Sequence, residues 1–327
     1  ACNAKKEEDT RPLGEMRDIT ASELIAEMDT GWNLGNTLDA EGGETGWGNP
    51  TTTKEMIDEV HNAGFNTIRI PTTWDGHLGN APDYIIDEQW INRVEEVVDY
   101  ALEDDMYVIL NIHHEDNWLK PQYDGLDDVK AELSTLCTEE GRDALNQLND
   151  VFVKTVRATG GNNEKRTLLI TTFAAQAMPA AIENLAVPDD KYVGVSIHAY
   201  TPYRFTYDSP TESWNVLYFD DSCAAEIDTL FENLNNTFIS KGIPVIITEY
   251  GSVTKIIDKD WYLNNEEEVA KWASYYISTA EKYGIPCVWW DNGYHTSGNE
   301  LFGLFDRKNL SWYSPKVVEA IMDSLTD

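Results

Sequence analysis

The sequence predicts an α/β protein built as one (β/α) barrel, with parallel strands inside and helices outside, and three observations carry that prediction. Short apolar runs alternate with amphipathic stretches along the chain, which is the rhythm of repeated βα units. Each run follows a helix end or a Gly/Pro stop, as in NAGFNTIRI, EDDMYVILNI, KGIPVIITEYG and YGIPCVWWDNG; such segments read as helix end, tight turn and buried strand. The 327 residues are 42% hydrophobic and show no linker rich in Pro, Gly or Ser after about residue 14, so the length is that of one large barrel and not of two joined domains.

Taken in chain order, the strand candidates are Trp32 to Leu34, Thr67 to Ile70, Tyr107 to Ile112, Thr167 to Thr171, Val193 to Ile197, Val245 to Thr248 and Cys287 to Trp290. Their apolar runs mark strands covered on both faces. Between them the helical segments include Thr52 to Ala63, Asp87 to Glu103, Arg142 to Thr159, Ala224 to Lys241 and Glu266 to Tyr283. The rhythm breaks once. From Ile112 to Thr167 there are 54 intervening residues, which an eight-stranded barrel would have to fill with two helices and one more strand. Asp127 to Leu136 and Arg142 to Thr159 supply the helices, but only CTEEG stands between them. The fourth strand of the barrel is therefore expected to be missing. Residues 1–19 form a polar head or tether, and residues 20–327 form the barrel domain.

Charge and composition narrow the function. With 24 basic and 58 acidic side chains the formal net charge is −34, which excludes a nucleic-acid partner. The hydrophobic content and 11% aromatics separate this acidity from that of a disordered chain. No apolar run approaches the roughly 18 residues of a transmembrane helix, and an anionic surface is repelled by anionic lipid. Eleven Trp and sixteen Tyr exceed nine Phe; flat amphipathic rings suit stacking on sugars as well as filling a core. The cysteines at 2, 137, 223 and 287 are too scattered for a disulfide framework, and no CxxC pair marks a structural zinc site. Cys2 lies in the charged head ACNAKKEEDTRP, within one residue of a processed lipoprotein start. The head is expected to have lost an export signal, and lipid attachment through Cys2 stays open beside free secretion.

Reactive groups in such barrels sit at the carboxyl ends of the strands. Those ends carry Asn36, Arg69, the His113, His114, Glu115 run, His198 with Tyr200, Glu249, and Trp290 with Asp291 and Asn292. Any one of them has a structural reading: Arg69 as an ion-pair partner, or His113 and His198 as satisfied core histidines. Their shared position past a strand end favours a common site. Glu249 directly follows an apolar run and should enter the barrel mouth, where Arg69 and Tyr200 could keep it ionised and aimed. A carboxylate beside a Trp platform suggests attack on an anomeric carbon, with a second carboxyl as acid and base. His113 and His198 would donate to sugar hydroxyls or fix the carboxyls. Trp289 and Trp290 alternate along a strand, and Trp290 is placed toward the mouth.

The segments GWNLGNTLDA (31–40), GFNTIRIPTTW (64–74), YVILNIHHEDNW (107–118), VRATGGNN (156–163), VSIHAYTPY (195–203), ITEYG (247–251) and WWDNG (289–293) together resemble glycoside hydrolase family 5. The likeness is greatest to its broad-specificity endoglucanase and xyloglucanase branch, and covers about residues 20–325. It implies a TIM (β/α)8 barrel and a retaining β-1,4-glucan hydrolase that needs no cofactor or metal. The implied partner is a β-glucan polysaccharide or oligosaccharide, acted on by a secreted monomer. Carried over by position, Glu249 matches the nucleophile, and Arg69, His113, His198, Tyr200 and Trp290 match the support residues around the cleavage point. Asn36, His114 and Trp47 match sugar contacts.

One motif departs. Members of the family carry Asn-Glu-Pro at the end of the fourth strand, where the Glu is the acid/base, and this chain contains no such tripeptide. What resembles AELSTL (131–136) and TEEGRDALNQLNDVFVKTVRATGG (138–161), separated in relatives by a helix end, the fourth strand and a long loop, is here joined through Cys137, as though about 35 residues were excised. Glu115, Glu139 and Glu140 are the nearest spare carboxyls, the latter two reading better as a solvated helix start. Two alternatives stay open: a glucan-binding barrel impaired by loss of its acid/base, and a β-mannanase-type glycanase on the same fold.

Overall fold

The computed structural model describes residues 16–115, 138–207, 216–255, 266–298 and 300–325. Seven parallel strands form one sheet: β1 Thr30–Leu34, β2 Thr67–Ile70, β3 Tyr107–Leu110, β4 Leu168–Gln176, β5 Val193–His198, β6 Val245–Tyr250 and β7 Cys287–Asp291, in the order β3-β2-β1-β7-β6-β5-β4. Every residue of β1, β2, β6 and β7 is buried, as expected where helices cover one face and the barrel interior the other. The outer helices are α1 Ala21–Ile25, α2 Lys54–Asn62, α3 Glu88–Glu103, α4 Glu139–Ala158, α5 Pro179–Ile182, α6 Tyr203–Thr206, α7 Asp221–Thr237, α8 Glu266–Glu281 and α9 Pro315–Met322. Side-chain N-caps start several of them: Asp87 for α3, Thr138 for α4 and Asp220 for α7, each satisfying a first-turn N–H. Helix α3 buries Trp90, Val94, Val97 and Ala101, the three-and-four spacing of a single core-facing stripe. A short antiparallel ribbon, β8 Phe305–Asp306 with β9 Ser311–Trp312, has no counterpart among the strands expected from sequence.

The sheet is curled. Arg69 on β2 reaches Glu249 on β6 directly, although β1 and β7 lie between those strands in the sheet. At the opposite end the interior is plugged by Ile109, Ile246 and Val288 from β3, β6 and β7 over Ile25 and Met28. This is the barrel that the alternation of elements predicts. Among the described residues no strand intervenes between β3 and β4, which stand at the two ends of the sheet order. Apolar side chains at this seam are open to solvent: Leu110 is 45% and Ile112 55% exposed, and Leu148 and Val151 of α4 are each 58% exposed. Helix α4 buries only Asn149 and Val153 over 20 residues, whereas α8 buries seven side chains over 16. The helix expected over Asp127 to Leu136, the join at Cys137 and the head with Cys2 all lie outside the described residues.

Strand register brings the functional candidates to one height. Asn33 on β1 pairs with Arg69 on β2 and with Trp290 on β7, while His198 on β5 pairs with Glu249 on β6.

Candidate active site

Glu249 owes its direction to an irregularity in β6. Ile246 faces the interior plug and Tyr250 packs outward on Trp272 and Tyr276 of α8, so strict alternation between them fails by one residue. The pairing shifts there on both flanks: between Ile197 and His198 on β5, and between Ile247 and Tyr250 on β6 against β7. One extra residue in the strand re-aims a side chain, and Glu249 turns into the mouth, 6% exposed.

Three groups hold its carboxylate. Arg69 Nη1 donates to Oε1 at 2.6 Å, the Tyr200 hydroxyl donates to Oε2 at 3.0 Å, and His198 Nδ1 lies 3.2 Å from Oε2. Burial by itself would raise the pKa of Glu249, but His198 and Arg69 outweigh it and bring the group down to about 2. Burial also drives His198 down to about 4, so this imidazole is neutral near pH 7 and the permanent cation beside Glu249 is Arg69. Tyr200 is pushed well above its usual value, first by burial and then by Glu249, and is therefore a fixed hydroxyl donor. The result is an ionised, buried carboxylate gripped on both oxygens, an arrangement that suits a positioned nucleophile.

Under it lies Asn33, fully buried. Its Oδ1 accepts from Arg69 Nη1 at 2.9 Å, and its Nδ2 donates toward the carbonyls of Thr248, Val288 and Trp289 at 3.0, 3.2 and 3.0 Å. Asn33 lies inside a strand and not past its end, so the strand-end positions single out Asn36 in the same segment instead. Its one sequence signal is an amide inside the buried run Trp32 to Leu34, which needs partners. Asn36 has a left-handed backbone, φ 54°; its N–H donates to Asp39 and its carbonyl accepts from Asn49, which shapes the loop after β1.

The opposite wall is aromatic. Trp290 faces the mouth and stacks on His113, with ring centroids 5.7 Å apart and planes 14° from parallel. Its neighbour Trp289 points out, its indole N–H donating to Phe302 O and its ring packed on Tyr250 and Trp272. His114 touches His113 and Trp47 edge-on, at 4.5 and 5.5 Å. Asn111 Oδ1 accepts from Thr72 N, which leaves its Nδ2 to donate to His113 Nδ1 at 3.1 Å. His113 thus carries its proton on Nε2, and burial lowers its pKa to about 3. Asp39, His113 and His114 place possible ligand atoms within 4.8 Å of one another, but this tautomer presents Nε2 as a donor, and Asp39 is already accepting from Asn36 N and Thr37 N. The donor set suits sugar hydroxyls better than a cation.

Asp291 and Asn292 do not join this cluster. The Asp291 carboxylate accepts from Trp32 Nε1, from Arg307 and from three backbone N–H groups, and so ties β7 to the outer layer. The Asn292 side chain bonds the backbone of Glu300 and Tyr294. Glu115 is 5% exposed and accepts from the backbone N–H of Trp74 at 2.7 Å. Glu139 and Glu140 lie exposed in the first turn of α4, as a solvated helix start does.

A model of the cellulase family, glycosyl hydrolase family 5, matches residues 33–140 and 129–296. Endoglucanase A of Ruminococcus albus is 49% identical over 351 aligned residues, spanning 95% of this chain and 94% of the relative. Among solved structures, a GH5-4 broad-specificity endoglucanase from Clostridium longisporum superimposes with a TM-score of 0.83 at 40% identity, covering 95% of this chain and 99% of that one. A GH5-4 broad-specificity endoglucanase from Ruminococcus champanellensis with bound cellotriose gives 0.81 at 38% identity, covering 94% and 99%.

Proposed function

The chain belongs to glycosyl hydrolase family 5 and is a glycoside hydrolase; from that premise we propose that it is a retaining endo-β-1,4-glucanase whose nucleophile is Glu249. The observation that carries this reading is the three-sided grip on Glu249 by Arg69, Tyr200 and His198, with a carboxyl pKa of about 2. A carboxylate so held attacks the anomeric carbon of a β-linked glucosyl unit as the glycosidic bond breaks, giving a covalent glycosyl-enzyme that water then opens. Trp290 and His113 offer a stacked wall for the sugar, and the Nε2–H of His113 a donor to a hydroxyl. Asn36, Trp47 and His114 would contact units further along the chain. A β-glucan is the substrate favoured by the endoglucanase names of the relatives and by the cellotriose in one of them. The enzyme acts outside the cell, as a monomer.

We further infer that its acid/base carboxyl has been lost with the fourth strand and its loop. Four observations support this. The chain has no Asn-Glu-Pro; alignment with Endoglucanase A runs over 351 positions although the chain has 327 residues; the family match divides in two around residues 129–140; and the seam between β3 and β4 exposes Leu110, Ile112, Leu148 and Val151. Such an enzyme would cleave substrates whose leaving group needs no protonation and act slowly on polysaccharide.

The nucleophile is tested with 2,4-dinitrophenyl 2-deoxy-2-fluoro-β-cellobioside, whose fluorine slows breakdown of the intermediate. The chain should gain one fluorocellobiosyl group, found by peptide mass spectrometry on Glu249, and Glu249→Gln should gain none. Label on another carboxylate, or none on the folded chain, overturns the assignment.

A further inference from the structure

We infer that Asn33 is a positioning residue for the reaction: it holds Arg69 against Glu249 and anchors the strand irregularity that turns Glu249 into the mouth. This rests on the reading of Glu249 as nucleophile. Arg69 Nη1 is shared, donating to Asn33 Oδ1 at 2.9 Å and to Glu249 Oε1 at 2.6 Å. The other end of the amide faces only acceptors, the carbonyls of Thr248, Val288 and Trp289. An amide nitrogen can serve them, whereas a carboxylate there would set oxygen against oxygen, so the orientation of the side chain is forced and Oδ1 must face Arg69. Thr248 immediately precedes Glu249, at the point where pairing slips on both flanks of β6. One buried side chain thus fixes the guanidinium that keeps the nucleophile ionised and the backbone turn that aims it. Without Oδ1, Arg69 loses an acceptor it cannot replace from water, because Asn33 and Arg69 are 0% and 4% exposed.

The test uses the full chain, Asn33→Ala, and Thr30→Val as a stability control. Thr30 sits on the same strand and its hydroxyl donates to Cys287 O on β7 at 3.2 Å, so its loss weakens the same strand pair without touching Arg69. Release of dinitrophenolate from 2,4-dinitrophenyl β-cellobioside is followed against pH, alongside thermal unfolding. Asn33→Ala should lower kcat/KM by about tenfold or more and raise the acid-limb pKa by at least about one unit. Thr30→Val should lose stability with no movement of that limb. The side-chain carboxyl 13C signal of Glu249, assigned by its loss in Glu249→Gln, reads the same point without turnover. It should stay ionised in the parent chain to about pH 3 and titrate visibly higher in Asn33→Ala. Should Asn33→Ala fail to fold, Asn33→Ser, which retains a hydroxyl but falls short of Arg69, is read the same way. An unmoved acid limb and an unmoved carboxyl titration in the folded variant, or an equal shift in Thr30→Val, overturns the inference. A parent chain that releases no dinitrophenolate, with the carboxyl titration shifted as expected, counts instead against the nucleophile reading.

Discussion

Glu249 and His198 lie 3.2 Å apart, and both are held below their ordinary pKa values, for opposite reasons. Burial disfavours charge on each; it neutralises His198, with a pKa of about 4, but is overcome for Glu249, where His198 and Arg69 bring the value to about 2. His113, at about 3, behaves like His198. A histidine depressed on folding takes up a proton on unfolding, so its contribution to stability is complete above about 6.5 and falls as pH drops toward its folded value. Glu249 adds in the same direction below about 4.5. Stability should therefore decline from pH 6.5 to 4, and His198→Gln should flatten that decline by up to about 1.4 kcal/mol per pH unit. Urea unfolding at a series of pH values measures it; an unchanged slope would mean that folding does not lower the pKa of His198. Much of this cluster was legible in sequence because its members each follow a buried apolar run. Asn33 and Asp39 stand out less because neither follows a strand end as the others do: Asn33 lies inside β1 and serves Arg69, and Asp39 holds the turn at Asn36 and Thr37 just before it.

The elements themselves followed the sequence closely wherever burial was two-sided. The uninterrupted runs at Thr67, Val193, Val245 and Cys287 begin observed strands at those residues. Two features escaped. The β8 and β9 ribbon has two residues per strand, too few for periodicity to register. The irregularity in β6 was invisible because Thr248 and Glu249 differ from strict alternation only through their neighbours' register. Helix α4 leaves Leu148 and Val151 uncovered, which the proposed loss of the fourth strand would explain. Inserting between residues 136 and 138 the corresponding fourth-strand segment of Endoglucanase A, carrying Asn-Glu-Pro at the strand end, should cover that face. It should also raise turnover of soluble β-glucan by about 10²- to 10⁴-fold, the usual worth of a general acid/base. The same insert carrying Asn-Gln-Pro should raise the unfolding temperature without the gain in rate. Equal turnover by the two inserts would show that the acid/base role is met elsewhere, with Glu115 the first residue to examine.

Across the whole molecule, the curled sheet does what no single strand can. It sets β2, β5, β6 and β7 around one mouth, so that Arg69, His198, Tyr200, Glu249 and Trp290 meet although they span residues 69 to 290. The net charge of −34 offers nothing to a neutral glucan, and binding must rest on stacking and hydroxyl donors. No helix among the described residues is long and apolar enough to cross a membrane. On the proposed reading this barrel keeps a working nucleophile while lacking its proton donor, and the two duties of that donor can be replaced separately. A dinitrophenyl leaving group departs without protonation, and azide attacks the glycosyl-enzyme without a base. The most direct measurement is therefore turnover of 2,4-dinitrophenyl β-cellobioside with and without azide, with the product identified by NMR. The predicted result is faster turnover with azide and a β-cellobiosyl azide, the retained product of two inversions. An α-configured azide, or brisk hydrolysis of polysaccharide that azide leaves unchanged, would contradict it.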